Sequence, residues 1–152
     1  MTVAVGVLAT PPTAAAQPPE FDLQAHRGGR GETTESSLRA FGKSLELGVS
    51  TLEFDIVLTK DRQPLVWHDP VIQPAKCADT GPVFAADPQY PYVGKLVHDL
   101  TLPQIRTLDC GQPLSDFPNA EVVRGNTIAT LSEVFTLTDS YRADVRYNIE
   151  TK

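Results

Sequence analysis

Four short stretches of this chain carry titratable side chains at spacings that suit metal and phosphate chemistry. Glu53 and Asp55 are separated by Phe54, with Leu52, Ile56 and Leu58 continuing the alternate positions. Asn148, Glu150 and Lys152 repeat the pattern against Tyr147, Ile149 and Thr151. Successive side chains of a strand leave opposite faces, so each polar set shares one face. Taken alone, either pattern also reads as the solvated face of an amphipathic strand. Two carboxylates turned inward repel each other and are costly to desolvate. A hard divalent cation with oxygen ligands removes both problems. His26-Arg27-Gly28 and His68-Asp69-Pro70 add two imidazoles suited to general acid and base work near neutral pH. Arg27 and Lys152 can neutralise a phosphate. Metal-assisted hydrolysis of a phosphate ester is the reaction class that this set serves. His98-Asp99 repeats the His-Asp dipeptide but falls before a helix cap and is read as structural.

The elements that must position these residues follow from periodicity. Residues 21–26 form a short strand running into the glycine-rich stretch 27–31. Residues 35–47 read as a helix, with Leu38, Phe41 and Leu45 on one face and Gly48 at its C-terminal cap. Residues 51–59 are the clearest strand. A turn at 60–64 leads to a second short strand at 65–68. From 69 to about 94 nothing is periodic, and Pro70, Pro74, Pro82, Pro88 and Pro91 mark a long loop or insertion, placed at about 71–94. Thr101-Leu102-Pro103-Gln104 and Thr130-Leu131-Ser132-Glu133 are capping-box patterns that open two further helices. A last strand begins near Val145. Strand, helix, strand, excursion, helices and strand is the rhythm of an α/β protein with a parallel sheet. The strand ends carry the titratable residues, and in parallel α/β folds that edge is where sites form.

The chain has 152 residues, with 13 Lys and Arg against 19 Asp and Glu and a net charge of −6. That length suits one domain. The acidic balance argues against an electrostatic nucleic-acid binder, and the apolar run 3–9 is too short to span a bilayer. Residues 1–17 read as a signal-peptide remnant or flexible tail, with Ala14-Ala15-Ala16 as an A-x-A-like cleavage site. Export to a periplasmic or extracellular location is the expectation. The two cysteines, Cys77 and Cys110, read as a disulfide in an exported chain. A zinc site is not expected, since no C-x-x-C or nearby histidine pair exists.

The ordered set Ala25-His26-Arg27-Gly28, Glu35, Glu53-Phe54-Asp55, His68-Asp69-Pro70 and Glu150-Thr151-Lys152 resembles the glycerophosphodiester phosphodiesterase family. Leu58-Thr59-Lys60-Asp61 and Asp99-Leu100-Thr101-Leu102 resemble it too, over roughly residues 21–152. The resemblance implies the N-terminal half of a (β/α)8 barrel within residues 18–152, with a Pro-rich insertion after the second strand. A complete barrel needs about 250 residues, and a strand reaching the last residue suggests a fragment. The implied activity is hydrolysis of small-molecule glycerophosphodiesters to glycerol 3-phosphate and an alcohol. Glu53, Asp55 and Glu150 would ligate Ca2+ or Mg2+, His26 and His68 would be the acid/base pair, and Arg27 and Lys152 would contact the phosphate. The family commonly has Asn where this chain has Ser36. Two alternatives remain: a related lipid phosphodiesterase of the sphingomyelinase-D-like type, and a truncated chain without catalysis.

Overall fold

A computed structural model describes residues 21–152. The expected leader segment at 1–17 lies outside the described residues. Three parallel strands carry the site: β1 (Gln24–Ala25), β2 (Thr51–Leu58) and β6 (Arg146–Thr151), with β2 between the other two. Between β1 and β2 runs helix α1 (Leu38–Glu46). It begins three residues later than the periodicity predicts, because Ser37 is the N-cap and its hydroxyl accepts from the Ala40 amide at 3.0 Å. Glu35 and Ser36 therefore lie in the turn before the helix. Helix α3 (Leu131–Tyr141) precedes β6 and opens on the Thr130–Glu133 capping box. The two helices touch along their length, with Tyr141 Oη donating to Glu46 Oε1 at 3.0 Å.

The apolar face of β2 packs on these helices. Leu52 and Phe54 are fully buried beside Ala25, Phe41, Val66, Ala129 and Val134. Phe41 meets Phe54 edge-on with ring centroids 5.4 Å apart. Tyr147 of β6 stacks edge-on against Phe135 at 5.0 Å, which turns Glu150 to the opposite face with Glu53 and Asp55.

The strand expected at 65–68 is not a member of the parallel set. β3 (Pro64–Val66) returns antiparallel along β2, pairing Val66 with Ile56 and Pro64 with Leu58. The turn at Asp61-Arg62 is tight enough for a hairpin, which periodicity alone does not reveal. β1 and β3 thus lie end to end on one edge of β2, and β6 takes the other.

The long segment between β3 and α3 has a core of its own. Trp67, Ile72, Tyr92, Val97, Leu100, Ile105, Leu108 and Ile128 bury against Val57 and Leu65. A two-strand ribbon, β4 (Ala78–Asp79) with β5 (Leu108–Asp109), closes it. Cys77 and Cys110 directly precede and follow the ribbon pair and are joined as a disulfide. The short helix α2 (Leu102–Ile105) carries the Thr101 capping box. Asp79 and Asp87 do the work of a ladder here, accepting from the backbone of Tyr92 and Gln89 at 2.8 Å each.

Candidate active site

The site forms where β1 stops and the returning β3 stops, because their ends converge on the same two residues of β2. Ala25 is the last β1 residue paired with β2, opposite Leu52. Beyond it the chain turns at His26–Gly28, and the Arg27 amide donates to Glu53 Oε2 at 2.8 Å. From the other direction the Trp67 amide donates to the Asp55 carbonyl at 3.0 Å, which brings His68 alongside. On the far edge of β2, register pairs Asp55 with Glu150 and Glu53 with Asn148.

One ligand oxygen each of Glu53, Asp55 and Glu150 lie within 4.8 Å of one another. Asp55 is 1% exposed, so its face of β2 is not a solvated outer face. Lys152 Nζ reaches Asp55 Oδ1 at 3.2 Å and also bonds Glu150. That contact lowers the Glu150 carboxyl and raises the Lys152 ammonium relative to their ordinary values. Asp55 Oδ2 is buried without a hydrogen-bond partner, and Arg27 Nε stands 3.8 Å from it, too far to donate. A buried oxygen left without a donor is costly. Three carboxylates within reach of one point, one of them holding an unused oxygen, fit a hard divalent cation.

The histidines flank this cluster. His26 Nε2 stands 3.9 Å from Glu53 Oε2, and its side chain is largely exposed. His68 shares Nδ1 with Asp69 Oδ1 at 2.9 Å and is about one-third exposed. His98 is 65% exposed and, with Lys152 and Pro70, lines an open cavity of about 210 Å3. It belongs to the 3-10 turn Val97–Asp99, whose Val97 is buried, and its own side chain faces the cavity's rim.

Behind Arg27 lies a second charged layer. Glu35 is 4% exposed and meets three cations: Arg27 Nη1 at 3.2 Å, Lys76 Nζ at 2.6 Å and Arg30 Nη2 at 3.0 Å. Burial works to raise this carboxyl, but the Lys76 hydrogen bond and the three positive charges outweigh it and hold it below the ordinary value. Asp69 is lowered in the same way, against its burial, by Lys76 and His68. Sequence reading passed over Arg30 and Lys76. Arg30 sits in a glycine-rich turn and Lys76 in the nonperiodic segment, where no alternation assigns a side chain to a face. The one local signal was the adjacent Cys77, which ties Lys76 to a fixed point.

The turn that presents Arg27 depends on left-handed backbone. Arg27 has φ 50° and Ser36 φ 57°, and the Ser36 amide donates to the Arg27 carbonyl at 2.8 Å. Ser36 thus supports Arg27 through its backbone. A Cβ at Gly28 would stand 2.9 Å from the Phe41 ring, and one at Gly29 2.5 Å from Ser44 Oγ. Both positions have positive φ, so glycine is required on two counts.

Comparison with known proteins adds an independent view. The sequence profile of the Glycerophosphoryl diester phosphodiesterase family matches residues 26–152. A glycerophosphodiester phosphodiesterase of Caldanaerobacter subterraneus subsp. tengcongensis is 34% identical over 128 residues, covering 84% of this chain and 44% of that protein. Among solved structures, a Silicibacter pomeroyi protein described as a glycerophosphoryl diester phosphodiesterase superposes with a TM-score of 0.75 at 28% identity, covering 90% of this chain and 47% of the other. An Oleispira antarctica phosphodiesterase, solved with its product sn-glycerol-3-phosphate, shares the fold at a TM-score of 0.64 and 23% identity, over 87% of this chain and 44% of that one. The chain therefore spans about half the length of these relatives.

Proposed function

The chain belongs to the glycerophosphoryl diester phosphodiesterase family, and from that premise we propose that it supplies the metal-binding and acid/base half of a glycerophosphodiesterase. The reaction is hydrolysis of a glycerophosphodiester to glycerol 3-phosphate and an alcohol. The observation that carries this reading is the convergence of one oxygen each of Glu53, Asp55 and Glu150 within 4.8 Å, with an unpartnered Asp55 oxygen and His26 Nε2 3.9 Å from Glu53.

Those three carboxylates would hold Ca2+ or Mg2+, which supplies Lewis-acid polarisation of an oxygen ligand. Lys152 and Arg27 border the same cluster, and each carries donors suited to a phosphoryl oxygen. Their positive charge stabilises the negative charge that develops as phosphorus is attacked. His68, whose Nδ1 is occupied by Asp69, exchanges protons through Nε2, and His26 serves as its counterpart across the cluster.

The domain read over residues 18–152 supplies, in this reading, the first three strands of a (β/α)8 barrel and the helices α1 and α3 between them, with 71–94 as an insertion after the second strand. Three parallel strands in the order β1-β2-β6 support this. Export is part of the same reading, supported by the Cys77–Cys110 disulfide. Recovery of the chain with an intact leader from a cytoplasmic fraction would overturn export.

The test of the activity is release of glycerol 3-phosphate from glycerophosphocholine, with added Ca2+ or Mg2+ and with chelator. Release that chelator abolishes, and that His26→Ala and His68→Ala each lose, is expected of a competent site. No release under either metal would refute activity of this chain by itself. A cyclic or monoester lipid phosphate from a lipid substrate, in place of glycerol 3-phosphate, would redirect the assignment to the sphingomyelinase-D-like type.

A further inference from the structure

We propose that Lys76 is a positioning residue for His68, acting through Asp69 to hold the ring with Nδ1 protonated and Nε2 free. Lys76 Nζ lies 2.5 Å from Asp69 Oδ2, while Asp69 Oδ1 lies 2.9 Å from His68 Nδ1. An ionised carboxylate only accepts hydrogen bonds, so the shared hydrogen belongs to His68 Nδ1, and the neutral ring keeps its lone pair on Nε2. Among the described residues, His68 and Lys76 are the two ion-pair partners of Asp69. One carboxylate oxygen therefore orients the ring only if the other is held, and Lys76 is what holds it.

Lys76 is itself fixed on every side. Its side chain is 15% exposed, its ammonium stands 5.4 Å from the centre of the Trp67 ring, and it donates to Glu35 Oε1 at 2.6 Å. Its amide donates to the Gln73 carbonyl at 3.0 Å, and its carbonyl accepts from the Gln112 amide at 3.3 Å. The next residue, Cys77, is bonded to Cys110. A lysine on a nonperiodic segment is thus anchored as firmly as one on a strand. Glu35 retains Arg27 and Arg30 when Lys76 is replaced, so the loss falls on Asp69 and not on the buried carboxylate.

The catalytic meaning of this arrangement rests on the hydrolase reading above, but the state of the ring does not. The test is therefore spectroscopic: long-range 1H–15N correlation of the histidine rings in the 152-residue chain, at about pH 8, above the ordinary histidine pKa of roughly 6.5. His68→Gln assigns the signal, and the His26 ring is the internal control. Wild-type His68 is expected in the Nδ1–H form. In Lys76→Met the ratio of Nδ1–H to Nε2–H should fall about tenfold, equivalent to about 1.4 kcal/mol. Lys76→Arg should restore most of it, and the His26 ring should not change in either variant. A ratio within about twofold of wild type in Lys76→Met overturns the proposal, as does an equal fall in Lys76→Arg. Should Lys76→Met not fold, the wild-type ring decides alone: an Nε2–H form of His68 refutes the inference. A tautomer shift as expected in a chain that releases no glycerol 3-phosphate would count against the activity and leave the positioning role standing.

Discussion

Replacing Glu35 by glutamine removes one negative charge from a site where three cations meet. Arg27, Lys76 and Arg30 stand 3.2, 2.6 and 3.0 Å from its two oxygens. With an effective dielectric near 20, a unit pair about 3 Å apart attracts by about 5 kcal/mol before desolvation is counted. Desolvation of the buried carboxylate cancels most of that sum, so the net effect is set by what remains after the charge is gone. Asp69 still neutralises Lys76 at 2.5 Å, and Asp55 stands 3.8 Å from Arg27 Nε. Arg30 has no other ion-pair partner among the described residues and keeps only the Phe117 ring, 4.5 Å away. One uncompensated, largely buried guanidinium predicts a loss of about 3–5 kcal/mol. Urea denaturation at pH 7 reads it, and the melting temperature should fall by about 10 °C for a chain of this size. The sign with pH follows from the lowered carboxyl. A group whose folded pKa is depressed stabilises above its unfolded value and loses that contribution as pH falls through the folded one. The gap between wild type and Glu35→Gln should therefore be full at pH 7, begin to narrow near the ordinary carboxyl value of about 4.5, and close only as pH falls through the lower folded value. A loss under about 1 kcal/mol at neutral pH, or a gap that does not close in acid, would refute the charge argument.

Asp55→Asn keeps the shape of the buried side chain but weakens the ligand set, so calorimetric titration with Ca2+ or Mg2+ should show affinity reduced at least about tenfold. Unchanged affinity would remove Asp55 from the site. Gly29→Ala places a Cβ 2.5 Å from Ser44 Oγ at φ 108° and should cost about 2–4 kcal/mol in denaturant; a neutral result would mean that the turn relaxes freely. The paired change Cys77→Ser with Cys110→Ser opens a loop spanning 33 residues, for which loop-closure entropy predicts a loss of about 3–4 kcal/mol. Equal midpoints with and without reductant in the wild-type chain would refute it.

Much of the local structure is legible in the residues themselves. The alternation of Leu52, Phe54 and Ile56 with Glu53 and Asp55 sets both the strand and its faces, because a strand's side-chain period is a local property. The capping boxes at Thr101 and Thr130 likewise open the helices they signal, since the hydrogen bonds they make lie within four residues. The ordered residue set also carried the family, which is a matter of types and order rather than of contacts. What depends on distant chain is different in kind. The stretch after Asp69 has no period, yet it folds around Tyr92, Leu100 and Ile105, because aspartate side chains replace the ladder that a pattern would announce. Periodicity places a short strand at 65–68 but not its direction; pairing with β2 turns it back, and that reversal is what sets the Trp67 amide on the Asp55 carbonyl. The second charged layer is wholly tertiary. Glu35 and Lys76 are 41 residues apart, and no spacing rule links them. Their contact exists because the turn before α1 holds one and a disulfide-tethered segment holds the other. Composition and periodicity decide which face a residue takes, but only the folded chain decides which charge it meets there.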